Sequence, residues 1–211
     1  MDFKKGLTGR FPTLFKKQPS TNTQESPFKK VSLYDALKNS YNPADHLGDY
    51  VIDKDLSNDN QQVYHRPQDN KLLVSIAGTH NLSDVGTDLA LLAGKLKDTS
   101  RYKEAANVLA KAKEKYNTNA DIVGHSLGGG IGQYAAGDGD RVLTYNKGAT
   151  FGQPTRDNET AYRSGGDLIS ALGSGIKTIG SNIYNPFSAS GIGKALDSHN
   201  LDNIKDENIF I

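Results

Sequence analysis

The 211-residue chain has no cysteine and no tryptophan, and it has one methionine. The lack of cysteine excludes disulfide bonds, thiolate metal sites and a cysteine nucleophile, and it fits a reducing compartment. No stretch approaches the roughly 18 uncharged apolar residues that a membrane-spanning helix needs. The basic start also lacks the continuous apolar run of a secretory signal. We therefore expect neither a transmembrane segment nor a cleaved signal peptide.

The chain also lacks an excess of charge of one sign, because it has 25 Lys and Arg and 24 Asp and Glu, for a formal net charge of +1. This balance gives no global attraction to nucleic acid, and we expect no nucleic-acid partner. Residues 1–30 nevertheless carry seven Lys or Arg and end in the linker-like stretch QPSTNTQESP. We interpret residues 1–30 as a basic arm, either flexible or docked on a membrane surface or a protein partner, and residues 31–211 as one domain.

Within residues 31–211 the apolar pattern alternates between strand and helix. Helices are predicted for VSLYDALKNSY (31–41), NLSDVGTDLALLAGKL, SRYKEAANVLAKAKEKY and LGGGIGQYAA; strands are predicted for DYVIDKD, QQVYHRP, KLLVSIAGT (71–79), ADIVGHS (120–126) and RVLTYNKGATFG (141–152). Strand, helix and strand in succession indicate an α/β fold with a mostly parallel central sheet flanked by helices.

One motif at a predicted strand-to-helix junction carries chemistry. Gly124, His125, Ser126, Leu127 and Gly128 spell G-x-S-x-G. As a bare pattern this could be a Gly/Ser-rich turn, but its position between a strand and a helix is that of a nucleophile elbow, which exposes a serine hydroxyl at the helix N-terminus. Glycines are expected where a Cβ would collide with a neighbouring element. His125 is expected to pack against the sheet rather than act as a base.

Together with GHSLGG, four further segments occur in an order that resembles the class 3 lipases, which include the fungal triacylglycerol lipases and plant and viral relatives. The segments are SIAGTHNLSDVGTDLA, with Asp88, and then ATFGQPTRDN, AYRSGGDLISAL and DSHNLDNI. The resemblance spans roughly residues 71–204 and implies an α/β-hydrolase-like fold.

The resemblance implies Ser126 as nucleophile, Asp167 as acid and His199 as base, the chain order of α/β-hydrolases. It also implies that Thr79 and Leu127 supply the N–H groups of an oxyanion hole. His199 is, in addition, the sole histidine downstream of Ser126.

Several of these residues have simpler interpretations. Asp167 follows two glycines, where an aspartate is ordinarily a turn residue or a helix N-cap, and Asp157 and Asp197 are alternative acids. His80 either lines the pocket or is a solvated loop residue. The sequence also departs from the family pattern, because Ala77 stands where an arginine usually precedes Gly-Thr. Its small size and lack of cysteine resemble the intracellular or viral members, which predicts an intracellular or virion-associated protein.

The segment between the predicted acid and base has Lys177 as its one charge from Leu168 to Gly193. Residues 168–193 are predicted to form a long, weakly structured loop, which is either ordinary core or a mobile cover that contacts lipid.

These features favour a serine carboxylester hydrolase that acts on acylglycerol or phospholipid through an acyl-enzyme, with no metal or organic cofactor. The basic arm favours phospholipid, since each Lys or Arg near an anionic surface adds about 1 kcal/mol of attraction. The alternative is a lipase-derived structural or partner-binding protein, for example a virion component, with secondary activity or none.

Overall fold

The computed structural model describes residues 27–80, 95–148, 154–167, 170–179, 197–205 and 207–211. One central sheet organises these residues. Its eight strands are β1 (His46–Leu47), β2 (Tyr50–Ile52), β3 (Gln61–Arg66), β4 (Lys71–Ile76), β5 (Ala120–His125), β6 (Arg141–Tyr145), β7 (Glu159–Ser164) and β8 (Lys177–Ile179). They lie side by side in chain order. Several predicted elements lie partly outside the described residues. They are residues 1–26 of the arm, residues 81–94 of the helix predicted from Asn81 (with Asp88), residues 149–152 of the strand predicted over 141–152, and residues 168, 169 and 180–193 of the loop.

The direction of pairing changes at β4. Strands β1 to β4 pair antiparallel through short connections, whereas β4 to β8 pair parallel. Parallel neighbours need a crossover, and an α-helix supplies it between β4 and β5 and between β5 and β6. The sheet is therefore mostly parallel, as the alternating apolar pattern predicted.

Three helices of the described residues cover the sheet: α1 (Leu33–Tyr41), α2 (Ser100–Tyr116) and α3 (Leu127–Ala135), with 3₁₀ turns at Leu96–Asp98, Ser170–Leu172 and Leu201–Ile204. Side chains at the helix starts satisfy free backbone N–H groups: the Ser32 hydroxyl accepts from Asp35 N at 3.0 Å, and the Thr99 hydroxyl accepts from Tyr102 N at 3.2 Å. Asn117 ends α2 in the left-handed conformation, with a φ of 47°.

Apolar side chains alternate between the two faces of the sheet. Leu73, Val123 and Leu143 pack under α1 on one face, whereas Leu72, Ile122 and Val142 pack under α2 and α3 on the other. A buried, mostly parallel sheet with helices on both faces is consistent with an α/β-hydrolase-like fold. Within the described residues, no helix combines the length and apolar character needed to cross a bilayer.

The strands predicted over 71–79 and 120–126 end at Ile76 and His125, and two larger differences from the sequence-based boundaries occur further along the chain. The strand predicted over 141–152 ends at Tyr145, and the loop predicted over 168–193 contains a 3₁₀ turn and β8. Strand β7 was not predicted either. Because β8 is a three-residue edge strand whose residues are exposed or half-buried, no apolar alternation marks it in the sequence.

A buried ion pair ties the end of β6 to the start of β7. Lys147 Nζ lies 2.7 Å from Glu159 Oε1, and neither side chain has any exposed area. Glu159 also accepts from the Thr144 hydroxyl at 3.1 Å and from Arg156 N at 3.2 Å. Burial lowers the pKa of Lys147 from its ordinary value, and the Glu159 charge and hydrogen bond oppose that shift.

Candidate active site

Ser126 forms a sharp turn between β5 and α3. Its φ of 53° and ψ of −126° are rare for a residue other than glycine, and strain of this kind is found at functional sites. Backbone bonds hold the turn: Ser126 N donates to Tyr145 O at 3.2 Å, and Ser126 O accepts from Gly148 N at 2.9 Å. The conformation is that of a nucleophile elbow.

The two glycines of the motif are required by close backbone contact. A Cβ on Gly124 would lie 2.5 Å from Gly128 O, and a Cβ on Gly128 would lie 2.2 Å from Ile76 O. Both distances are too short for any side chain. The first turn of α3 can therefore lie directly against β4 and β5, which places the Ser126 side chain at the helix N-terminus.

Asp167 and His199 form a fully buried pair. Asp167 Oδ1 lies 3.0 Å from His199 Nδ1, and neither side chain has exposed area. The other carboxylate oxygen accepts from Ser170 N at 3.1 Å, so Asp167 also caps the 3₁₀ turn. Asp167 can therefore cap a turn and contact His199 at the same time, so its two interpretations, as a cap and as the acid, are compatible. Burial acts to raise the pKa of Asp167, but the hydrogen bond from His199, the electrostatic interaction with that ring and hydrogen bonds from Ser170 bring it below its ordinary value.

Ser126 Oγ and His199 Nε2 are both buried, and neither has a hydrogen-bond partner among the described residues. The His199 ring lies with its centroid 5.0 Å from that of His125, the residue next to Ser126. With Nδ1 bound to the Asp167 carboxylate as a donor, Nε2 of a neutral His199 carries a free lone pair. Such an imidazole can accept a proton from a hydroxyl.

The alternative residues lie elsewhere. Asp157 and Asp197 are exposed, whereas Asp167 contacts His199. His80 is exposed, lines the cavity beside Ser126, and has its Nε2 3.2 Å from Asp59 O. Both interpretations of His80 therefore apply. His125 is buried, as expected, but it is also hydrogen-bonded on both ring nitrogens.

Side chains at the ends of β5, β6 and β7 hold the segment that carries His199. Asn146 Nδ2 donates to Ser198 O at 2.9 Å, and Asn146 Oδ1 accepts from Ser164 N at 2.8 Å. The Ser164 hydroxyl also donates to Ser198 O. Asn146 has a φ of 44°, a conformation that asparagine tolerates better than most residues. Sequence reasoning missed Asn146, and its place within a predicted strand gave no signal of this role.

Thr79 lies in the loop after β4, and its hydroxyl is buried without a partner in the described part of the chain. Leu127 is the first residue of α3, so its N–H has no acceptor within the helix. Their role in an oxyanion hole stays a prediction. The carbonyl groups of Ala77 and Gly78 accept from Arg101 of α2 at 2.8 and 3.1 Å. Thus the Arg101 guanidinium contacts this loop from α2, although Ala77 stands at the position where an arginine was expected.

A small cavity of about 180 Å³ opens at Ser126 and is also bordered by Thr79, Tyr41 and Leu201. Residues 81–94 and 180–196, which flank this region in the chain, lie outside the described residues. Among the residues that are described, no cluster of three or more His, Asp or Glu side chains is arranged to hold a metal ion.

No family model matches this chain, and no curated protein matches its sequence. Its structure is similar to the crystal structure of Lip2 lipase from Yarrowia lipolytica, with a TM-score of 0.44 and 14% sequence identity. The match covers 68% of this chain and 76% of the Lip2 chain. At this TM-score the likeness carries no weight in assigning a function.

Proposed function

We propose that this protein is a serine carboxylester hydrolase in which Ser126 is the nucleophile, His199 the general base and Asp167 its partner. One observation carries the proposal: Ser126 Oγ and His199 Nε2 are both buried and both lack partners among the described residues. The backbone of Ser126 is strained, and neither atom is engaged elsewhere in the described part of the chain. A hydroxyl and an imidazole nitrogen in this state are suited to transferring a proton.

In the proposed reaction Ser126 Oγ attacks the ester carbonyl carbon while its proton passes to His199 Nε2. The Asp167 carboxylate stabilises the resulting imidazolium. The N–H groups of Leu127 and Thr79 face the oxyanion of the tetrahedral intermediate. When the intermediate collapses, the C–O bond to the alcohol breaks and His199 returns the proton to the leaving oxygen. Water then attacks the acyl-enzyme by the same route and regenerates Ser126.

We assign lipid esters as the substrate class, either acylglycerols or phospholipids. The resemblance of residues 71–204 to class 3 lipases supports this choice. The cavity beside Ser126 is consistent with it, because Leu201 and the rings of Tyr41 and His80 border it. We also propose that residues 1–30 and 168–193 contact a membrane surface.

Labelling with a fluorophosphonate probe tests the chemistry. We expect the wild-type protein to label with one probe per chain and Ser126→Ala not to label. Ser75→Ala is the matched control, because Ser75 is equally buried but donates to Ala36 O within the core. It should label as the wild type does. Asp167→Asn should slow ester turnover by on the order of 10⁴ through loss of the correct imidazole tautomer.

A folded wild-type protein that does not label would overturn the proposed activity and favour the structural or partner-binding alternative. Folding is checked by circular dichroism on the same samples. Turnover of long-chain against short-chain acyl esters, presented in micelles, tests the lipid assignment. A strict preference for short soluble esters would contradict it.

A further inference from the structure

A chain of hydrogen bonds connects the loop that carries Thr79 to the segment that carries His199. Gly78 N lies 2.7 Å from the Tyr41 hydroxyl, which lies 2.8 Å from His125 Nδ1. The other ring nitrogen, His125 Nε2, lies 2.9 Å from His199 O. Two side chains thus join the two regions that the proposed reaction must hold in register.

The direction of every bond in this chain is fixed. The His199 carbonyl can only accept, so His125 Nε2 must carry a proton. Burial and the neighbouring His199 lower the pKa of His125 to about 3, so the ring is neutral and its Nδ1 is an acceptor. The Tyr41 hydroxyl therefore donates to His125 Nδ1, and its oxygen accepts from Gly78 N. No second arrangement of protons satisfies all four groups.

The surroundings leave these side chains little freedom. Burial raises the pKa of Tyr41 to about 12, so its hydroxyl keeps its proton. The His125 ring lies between Tyr145, with centroids 5.9 Å apart, and His199. Tyr41 is the last residue of α1, which packs on β4 and β5. It lies outside residues 71–204, where the resemblance to known lipases was found.

We propose that Tyr41 and His125 are positioning residues that set the distance and orientation between the oxyanion loop and the general base. This inference rests on the proposed function. The effect would be large because a misplacement of about 1 Å in a catalytic group can cost on the order of 100-fold in rate. Neither residue touches the reacting atoms in this role. Tyr41→Phe keeps the ring that borders the cavity, so substrate affinity should change little in that variant.

Tyr41→Phe, which removes one oxygen atom, is the sharpest variant. We expect kcat for a p-nitrophenyl ester to fall by about 10- to 100-fold, and the rate constant of fluorophosphonate labelling to fall in parallel. KM should stay within about threefold. Tyr64→Phe is the control, because it removes the same atom from a tyrosine whose hydroxyl donates to Ala44 O at 3.0 Å, away from Ser126. Tyr64 is fully buried, whereas Tyr41 is half-buried, so the control is the more demanding test of stability. Its kcat should be that of the wild type.

Two variants of His125 separate positioning from packing. His125→Gln keeps an N–H donor for His199 O, whereas His125→Leu fills the space without one. We expect kcat of the Gln variant within about tenfold of the wild type and that of the Leu variant lower by a further order of magnitude. If His125 had a purely structural role, kcat of both variants would instead fall in proportion to their loss of thermal stability.

The outcomes are distinct. Equal kcat in Tyr41→Phe and Tyr64→Phe, with normal labelling of the wild type, overturns this inference alone. Absence of labelling in the folded wild-type protein overturns the proposed function and this inference with it. If His125→Leu does not fold, Tyr41→Phe and His125→Gln decide the question.

Discussion

Replacing Lys147 with methionine should destabilise the protein by about 3–5 kcal/mol, the range found when one partner of a buried ion pair is removed. Methionine retains most of the aliphatic volume but not the ammonium that lies 2.7 Å from Glu159. The carboxylate would then stay buried with the Thr144 hydroxyl and Arg156 N as its donors. Because domains are typically stable by about 5–15 kcal/mol, this is a large fraction of the total.

The assay is urea unfolding at pH 7, followed by circular dichroism, with a check that the slope of free energy against urea is unchanged. In a thermal scan the same loss should lower Tm by roughly 6–20 °C, at about 2–4 °C per kcal/mol for a chain of this size. Adding Glu159→Gln to Lys147→Met should recover much of the stability, because the unpaired charge disappears.

A loss below about 1 kcal/mol in Lys147→Met would refute the reasoning, since it would mean that the carboxylate is solvated or neutral in the folded state. Failure of Glu159→Gln to recover stability in the double variant would refute it too. The cost would then come from packing around Lys147 rather than from charge.

Two further predictions concern the site itself. Gly128→Ala should destabilise the fold by at least about 3 kcal/mol and abolish labelling, because its Cβ would lie 2.2 Å from Ile76 O. The control is Gly137→Ala, whose Cβ has its nearest neighbours at 3.5 Å and should be tolerated. Because the pKa of His125 is lowered from 6.5 to about 3 on folding, the unfolded chain binds a proton that the folded one does not between those values. Stability should therefore fall by about 2 kcal/mol as the pH drops from 7.5 to 5, and His125→Gln should remove that part of the slope in urea titrations.

The backbone turn at Ser126 could be predicted from the local pattern. A glycine-flanked serine between a strand and a helix is typical of a nucleophile elbow, and the structure has a strained turn at this position. For Asp167 the two competing interpretations could not be separated, and the structure shows why, since one carboxylate oxygen caps a turn and the other contacts His199. Whether these residues catalyse a reaction stays a prediction.

Residues that act through the backbone of distant segments could not be predicted. Tyr41, Arg101 and Asn146 contact loops at sequence separations of 23 to 52 residues through peptide groups, which every residue possesses. No side-chain pattern marks such contacts. Strands β7 and β8 were not predicted for a related reason. Neither has a regular apolar alternation in its own sequence, and both form by hydrogen bonding to a strand that is distant in the sequence.

The side-by-side order of β4 to β8 brings the three predicted catalytic residues together from increasing distances along the chain. Ser126 follows β5, Asp167 follows β7, and His199 comes after β8. His125 of β5 and Asn146, which follows β6, hold the His199 segment by hydrogen bonds to its carbonyl groups. An incompletely assembled sheet would present the serine without its base. Under the proposed function, ester cleavage would therefore begin only after the segment that carries His199 had docked on the ends of the sheet strands.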